Sequence, residues 1–169
     1  MSLRELLAQK KTEIVRRWQE LVMRTYPEDT FRFLQREKDR FANPVGFAIN
    51  RNLETLFDQL IGEMDPEAMN ESLDGIIRIR AVQDFGASQA VGFLLLLKDA
   101  LDQSLERDHL GAEELAGLIS FHSRIDRMLL MSFDLYMRDR EKVFDIRARE
   151  IQARSVKLIE RLNRRVEPD

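Results

Sequence analysis

The sequence predicts an all-α protein, a single-domain bundle of five or six main helices that ends in a long one. The 169-residue chain contains only seven glycines and four prolines, so long stretches are free of the residues that interrupt helices. Apolar residues recur at spacings of three and four along most of the chain, as they do on one face of a helix. Alternation with a period of two, which is typical of strands, is never sustained.

The first predicted helix carries an apolar stripe over residues 3–22, and Ser2 precedes it as a candidate N-cap. Pro27 is expected to end this helix, because the residue before a proline disfavours the α region. A short turn is predicted at residues 30–35, with Phe31 and Leu34 filling part of the core.

Two further helices begin with the same local signal. Asn43-Pro44 and Asp65-Pro66 each place a capping side chain directly before a proline at the first helical position. The first of these helices is predicted to end at Gly62. Another helix is expected to begin at Gln89 with Ser88 as its cap, and four consecutive leucines at 94–97 predict that it is central and buried on several sides.

The longest helical pattern spans residues 112–164, after Gly111. A straight helix of that span would be roughly 75 Å long, which exceeds the width of a domain of this size. It must therefore bend, break near Gly117, or project beyond the body. We divide the chain accordingly into a helical sensor-like domain at 1–140 and a C-terminal extension of the last helix at 141–169.

Composition excludes several classes of protein. The chain has no cysteine, which rules out disulfides, thiolate zinc sites and cysteine nucleophiles. Charged residues interrupt the N-terminal apolar stretch and no long uncharged apolar run occurs, so neither a signal peptide nor a membrane span is expected. The net charge is −3 and no segment is strongly basic, so nucleic acid is not an expected partner. We expect a cytoplasmic protein.

Catalytic and metal-binding patterns are weak. Glu106 and His109 form one Glu-x-x-His, but a di-iron bundle needs two copies and further glutamates. No nucleophile elbow or phosphate-binding glycine loop occurs. We therefore expect neither an enzyme nor a bound metal or other cofactor.

Four residues are candidates for ligand binding: Trp18, Arg80, Gln83 and His122. Arg80 and Gln83 lie among apolar neighbours at a junction between helices, where buried polar groups must find partners. They either tie down loop carbonyls or line a ligand pocket. His122 lies on an apolar helix, so it is either a hydrogen-bonded side chain or an axial haem ligand.

An apolar stripe near the C-terminus has coiled-coil spacing, alternating fours and threes. We call it the C-terminal stripe, and its members are Phe144, Ala148, Ile151, Ser155, Leu158 and Leu162. Arginines recur every seven residues beside it, from Arg140 to Arg161. The stripe either packs within the chain, on the N-terminal helix, or pairs with a second copy in a homodimer.

Several short motifs together resemble the RsbRD N-terminal domain family, the sensory domains of RsbT co-antagonist proteins in bacterial stress signalling. The motifs are Arg17-Trp18, Thr25-Tyr26-Pro27, Asn43-Pro44-Val45-Gly46, Arg78-x-Arg80-Ala81-Val82-Gln83-Asp84-Phe85, Ser88-Gln89-Ala90-Val91 and Leu97-Lys98.

The resemblance implies a globin-like, haem-free fold that dimerises, with a final helix leading to a STAS output domain. Since the sequence ends at Asp169, we expect a stand-alone member or one whose output lies in a partner protein. Two hypotheses follow. One is a non-enzymatic sensor or adaptor that acts as a homodimer on a signalling partner, and the other is a globin-like sensor that binds haem or a small ligand at His122.

Overall fold

The computed structural model describes residues 2–83, 85–105 and 110–166, with side chains described as far as Arg164. Its described residues form helices joined by turns and loops, with no strand among them, which confirms the all-α prediction. Five helices have 13 residues or more, and three are short. In chain order they are α1 (Leu3–Gln9), α2 (Lys11–Met23), α3 (Glu28–Arg36), α4 (Pro44–Ile61), α5 (Pro66–Val82), α6 (Ala87–Val91), α7 (Phe93–Leu105) and α8 (Ala112–Val166).

Local capping sets three of the helix starts as predicted. Ser2 and Glu5 form a reciprocal capping box at the start of α1. The Asn43 side chain accepts a 2.9 Å hydrogen bond from the backbone N–H of Gly46 at the start of α4. Asp65 accepts one of 3.0 Å from the backbone N–H of Glu67 at the start of α5.

The predicted first helix is divided in two at Lys10, where the structure breaks between α1 and α2. The Lys10 ammonium donates a 2.8 Å hydrogen bond to the carbonyl oxygen of Ser104 on α7. This contact joins residues far apart in sequence, so the local apolar spacing could not reveal it.

The helix predicted from Gln89 also differs from expectation. It begins at Ala87, after Gly86 rather than after a Ser88 cap, and it is divided at Gly92 into α6 and α7. Glycine weakens a helix by about 1 kcal/mol relative to alanine. The predicted burial on several sides is only partly right, because Leu95 is about half exposed.

The predicted turn at 30–35 is instead the short helix α3, which begins directly after Pro27. A proline before the first turn is compatible with a helix start, since its missing N–H has no intrahelical partner there. Leu34 is buried as expected, and Phe31 is partly buried against the core.

The long last helix is continuous. Gly117 lies inside α8 rather than at a break, and a Cβ added there would lie 3.2 Å from Leu3 of α1. The glycine therefore allows α1 to approach α8 closely.

The core is formed where α2 packs on α7, α4 packs on α5, and both α5 and α7 pack on α8. Buried residues of α8 continue to Asp139, whereas every described side chain from Phe144 to Arg164 is exposed. At 1.5 Å per residue this exposed segment projects about 30 Å. Within the described residues, no helix is sufficiently long and apolar to cross a bilayer.

Candidate functional site

Arg80, near the end of α5, is fully buried. Its Nη1 donates a 2.8 Å hydrogen bond to the carbonyl oxygen of Gln89, and its Nη2 donates one of 3.0 Å to the hydroxyl of Thr25. The Nε atom is also buried and has no hydrogen-bond partner among the described residues. Arginine has five N–H donors, so the guanidinium retains donor capacity.

Three aromatic rings surround this guanidinium. Its Cζ lies 4.9 Å from the ring centre of Phe85, 5.5 Å from that of Tyr26 and 5.6 Å from that of Phe93. Such cation–π contacts offset part of the cost of removing the cation from water. Burial lowers the pKa of Arg80 and raises the pKa of the Tyr26 phenol, although the neighbouring Arg80 cation opposes the latter shift.

No carboxylate among the described residues forms an ion pair with Arg80. Ion pairs in the described part of the chain involve other arginines and lysines, such as Arg138 with Asp74. A charge removed from water without an opposite charge costs several kcal/mol even after relaxation. Arg80 is therefore a buried cation whose described neighbours are three aromatic rings, one hydroxyl and one carbonyl oxygen.

A cleft of about 370 Å³ adjoins this cluster and is lined by Thr25, Phe85, Gln89, Gly92 and Leu96. Three of these residues are direct neighbours of the Arg80 guanidinium. Thr25 and Gln89 are exposed and Phe85 is half-buried. The guanidinium thus lies one layer beneath the floor of a solvent-open cleft.

Gln83 and Trp18 each contact a different aromatic residue of this cluster. Gln83 is exposed, and its Oε1 accepts a 3.2 Å hydrogen bond from the Tyr26 hydroxyl. Trp18 is fully buried, stacks on Phe93 and donates a 2.6 Å hydrogen bond from Nε1 to the Phe93 carbonyl oxygen. Trp18 therefore supports a ring that contacts Arg80 and does not line the cleft.

His122 lies elsewhere, on α8. Its side chain is 26% exposed, and Nε2 lies 3.8 Å from Oδ1 of Asp102. The cleft beside Arg80 does not include it. Glu106 and His109 lie outside the described residues, and the described part of the chain holds no cluster of three or more His, Asp or Glu side chains suited to a metal ion.

The segment that follows Arg80 is attached to α8. The Tyr136 hydroxyl donates a 2.6 Å hydrogen bond to the carbonyl oxygen of Phe85, and Arg140 Nη1 donates one of 3.1 Å to that of Ala81. Sequence reasoning missed Thr25, Phe85 and Tyr136. The last of these carried a weak signal, since a tyrosine on a core-facing helix position usually hydrogen-bonds through its hydroxyl.

The C-terminal stripe is exposed along its whole length. Its large members, Phe144, Ile151, Leu158 and Leu162, have exposures between 58% and 66%. Ala148 and Ser155 are exposed between them. One of the two alternatives predicted that the stripe packs on the N-terminal helix. In this structure it does not.

Charge is distributed unequally on the two sides of the stripe. One side is an arginine flank, which consists of Arg140, Arg147, Arg154 and Arg161. The other side holds Asp145, Gln152 and Ile159 at the same seven-residue spacing. The Arg140 guanidinium lies over the Phe144 ring, with Cζ 5.3 Å from the ring centre.

Comparison with known proteins identifies one family. A family model described as the RsbT co-antagonist protein rsbRD N-terminal domain matches residues 12–151. No curated protein and no solved structure gave a significant match. The match confirms the resemblance inferred from the sequence motifs, whereas the globin-like fold implied by that resemblance stays a prediction.

Proposed function

The chain belongs to the RsbT co-antagonist protein rsbRD N-terminal domain family, and from this premise we propose that it is a non-enzymatic sensory and adaptor domain of bacterial stress signalling. It acts in the cytoplasm as a homodimer joined through α8 and transmits its state to a signalling partner protein. The observation that carries this proposal is the exposed C-terminal stripe.

An exposed stripe of large apolar residues supports pairing with a second copy. The four large members of the stripe are more than half exposed, and contiguous exposed apolar surface commonly marks an interaction site. Leu130 and Met137 continue the seven-residue spacing weakly towards the body and are also exposed, while the positions between them and Phe144 are the charged Asp134 and Glu141. The apolar stripe itself, from Phe144 to Leu162, is about 27 Å long.

The flanking charges support a parallel pair. In a parallel coiled coil, one flank of the stripe faces the opposite flank of the other helix. Arg140 then lies beside Asp145 of the second copy, and Arg147 lies beside Gln152 of that copy. In an antiparallel pair each arginine flank faces the other arginine flank, which like-charge repulsion disfavours.

Continuity of α8 supports a role in transmission. The same helix packs on α5 and α7 in the body and carries the stripe beyond it. A displacement of α8 in the body therefore changes the position of the stripe, because the described helix contains no break that could absorb it.

The mass of a charged variant in solution tests the dimer. Ile151→Asp combined with Leu158→Asp places two carboxylates in the stripe, and we expect a monomer by light scattering. The matched control is Ile146→Asp with Val156→Asp, which makes the same charge change at exposed apolar positions of α8 off the stripe. That control is expected to remain a dimer. An unchanged mass for the stripe variant contradicts the proposal.

A further inference from the structure

The cleft beside Arg80 has the chemistry of a ligand site. We propose that it binds a small organic monocarboxylate, with the carboxylate on the Arg80 guanidinium and an aliphatic or aromatic tail in the cleft. The inference deepens the sensory part of the proposed function and rests on it for its biological meaning, because it names the class of signal.

The buried cation is the first reason for an anionic ligand. Arg80 is fully buried, and in the described part of the chain it has no acidic partner and its Nε has no hydrogen-bond partner. Buried charges in proteins are normally paired. Nε and the neighbouring Nη form the edge of a guanidinium that binds both oxygens of a carboxylate through parallel hydrogen bonds.

The walls of the cleft indicate the rest of the ligand. Phe85 and Leu96 supply apolar surface, while Thr25 and Gln89 supply a few polar groups. Its volume of about 370 Å³ lies at the small end of the range for ligand pockets. One cation matches one negative charge, so a monoanion fits better than a doubly charged phosphate, which would leave a charge uncompensated.

Access to the guanidinium requires a movement, because Arg80 is fully buried and is not among the residues that line the cleft. Gln89 is the candidate to move, since it lines the cleft, is exposed, and its Oε1 accepts a 3.2 Å hydrogen bond from the backbone N–H of Gly86. Rotation of this side chain breaks that bond alone and leaves the Gln89 carbonyl bound to Arg80. The cost of opening is therefore small.

The cleft is also connected to the helix that carries the stripe. Phe85 lines the cleft through its ring, and its carbonyl oxygen accepts the hydrogen bond from Tyr136 of α8. A ligand that contacts the Phe85 ring can thus bias the position of α8.

Titration of the purified full chain with benzoate tests the proposal. The readouts are calorimetry and the NMR resonance of the Arg80 Nε–H, which can be assigned by its loss in Arg80→Lys. Benzamide, the neutral isostere, and inorganic phosphate are titrated in parallel. We expect benzoate to bind, to shift the Nε–H resonance, and to bind at least about tenfold more tightly than either competitor.

Two variants distinguish an effect on the cleft from a general effect on folding. Leu96→Trp fills the cleft, whereas Leu95→Trp adds the same side chain at the adjacent exposed position of α7. We expect the first to weaken benzoate binding at least about tenfold and the second to leave it unchanged. Should Leu96→Trp fail to fold, Arg80→Lys gives the same test. Lysine keeps the positive charge but lacks the two parallel N–H donors that bind both oxygens of a carboxylate.

Three results overturn the proposal: no benzoate binding up to about 10 mM, equal binding of benzoate and benzamide, or an unmoved Nε–H resonance. Tighter binding of phosphate than of benzoate overturns the assignment to an organic carboxylate. The mass of the same samples keeps this inference separate from the proposed function. A dimer that does not bind benzoate contradicts only the proposed ligand site. A monomer that binds benzoate contradicts only the proposed dimer.

Discussion

The hydroxyl of Tyr136 donates a 2.6 Å hydrogen bond to the carbonyl oxygen of Phe85. Tyr136 is a buried residue of α8, and the ring of Phe85 lies 4.9 Å from the buried Arg80 guanidinium. One residue therefore contacts both the charge cluster of the body and the helix that projects from it. This hydrogen bond links a residue of the cleft directly to α8.

Tyr136→Phe tests the strength of that link. The substitution leaves the Phe85 carbonyl without its donor, and we expect a loss of about 1–2 kcal/mol in the free energy of unfolding, measured with urea. Ser123→Ala is the control, because its exposed hydroxyl donates a 3.1 Å hydrogen bond to the Ile119 carbonyl oxygen within α8 and water can replace it. Equal losses for the two variants would contradict the role given to Tyr136.

Trp18→Phe tests the support that Trp18 gives to Phe93. The change removes the 2.6 Å hydrogen bond from Nε1 and leaves a void in the core, so we expect destabilisation by about 2–3 kcal/mol. Circular dichroism during urea unfolding measures it, since the only tryptophan is lost. Phe41→Leu, at a largely exposed position, serves as control and is expected to change stability little. A change near zero for Trp18→Phe would be inconsistent with a structural role.

Alkaline pH is expected to destabilise the protein through Tyr26. Burial raises the pKa of its phenol above the ordinary 10.0, so the folded state holds this proton more tightly than the unfolded state. The resulting contribution to stability is fully present below about pH 10 and is lost as the pH rises through the raised pKa. Unfolding curves above pH 10 should show a shallower decline in Tyr26→Phe than in the unaltered chain. An equal loss of stability above pH 10 in Tyr26→Phe and in the unaltered chain would exclude Tyr26 as the cause of that loss.

Single cysteines test the parallel orientation of the dimer. The natural chain has no cysteine, so Ala148→Cys, Ser155→Cys and Leu162→Cys each introduce one thiol into the stripe. In a parallel, in-register pair we expect all three to cross-link under mild oxidation, because each position lies beside its own copy. In an antiparallel pair at most one of the three can cross-link, because only a position at the centre of the pair lies beside its own copy. Arg149→Cys, on α8 but off the stripe, is the control that should cross-link poorly.

Local signals explain which parts of the fold were predictable. Asn43-Pro44 and Asp65-Pro66 define helix starts through contacts within three residues, and the structure has both. At the break between α1 and α2, Lys10 donates a hydrogen bond to a residue of α7. A contact of this kind joins distant parts of the chain, so the local spacing of apolar residues does not reveal it.

The candidate site was predictable in part for the same reason. Arg80 and Gln83 were identified because polar residues among apolar neighbours need partners. Their partners Thr25 and Tyr26 lie more than fifty residues away in the chain. The exposure of the C-terminal stripe was also left open by the sequence, because an apolar stripe on a helix is equally compatible with an internal partner and with a second copy.

The mass of the unaltered chain in solution tests the central claim most directly. Light scattering should be recorded over concentrations on the order of 10–100 µM, because dimer formation depends on protomer concentration. A parallel α8 dimer predicts twice the 19.9 kDa chain mass at the upper end of this range. A mass of one chain throughout would contradict the claim and would leave the exposed stripe without the partner proposed for it.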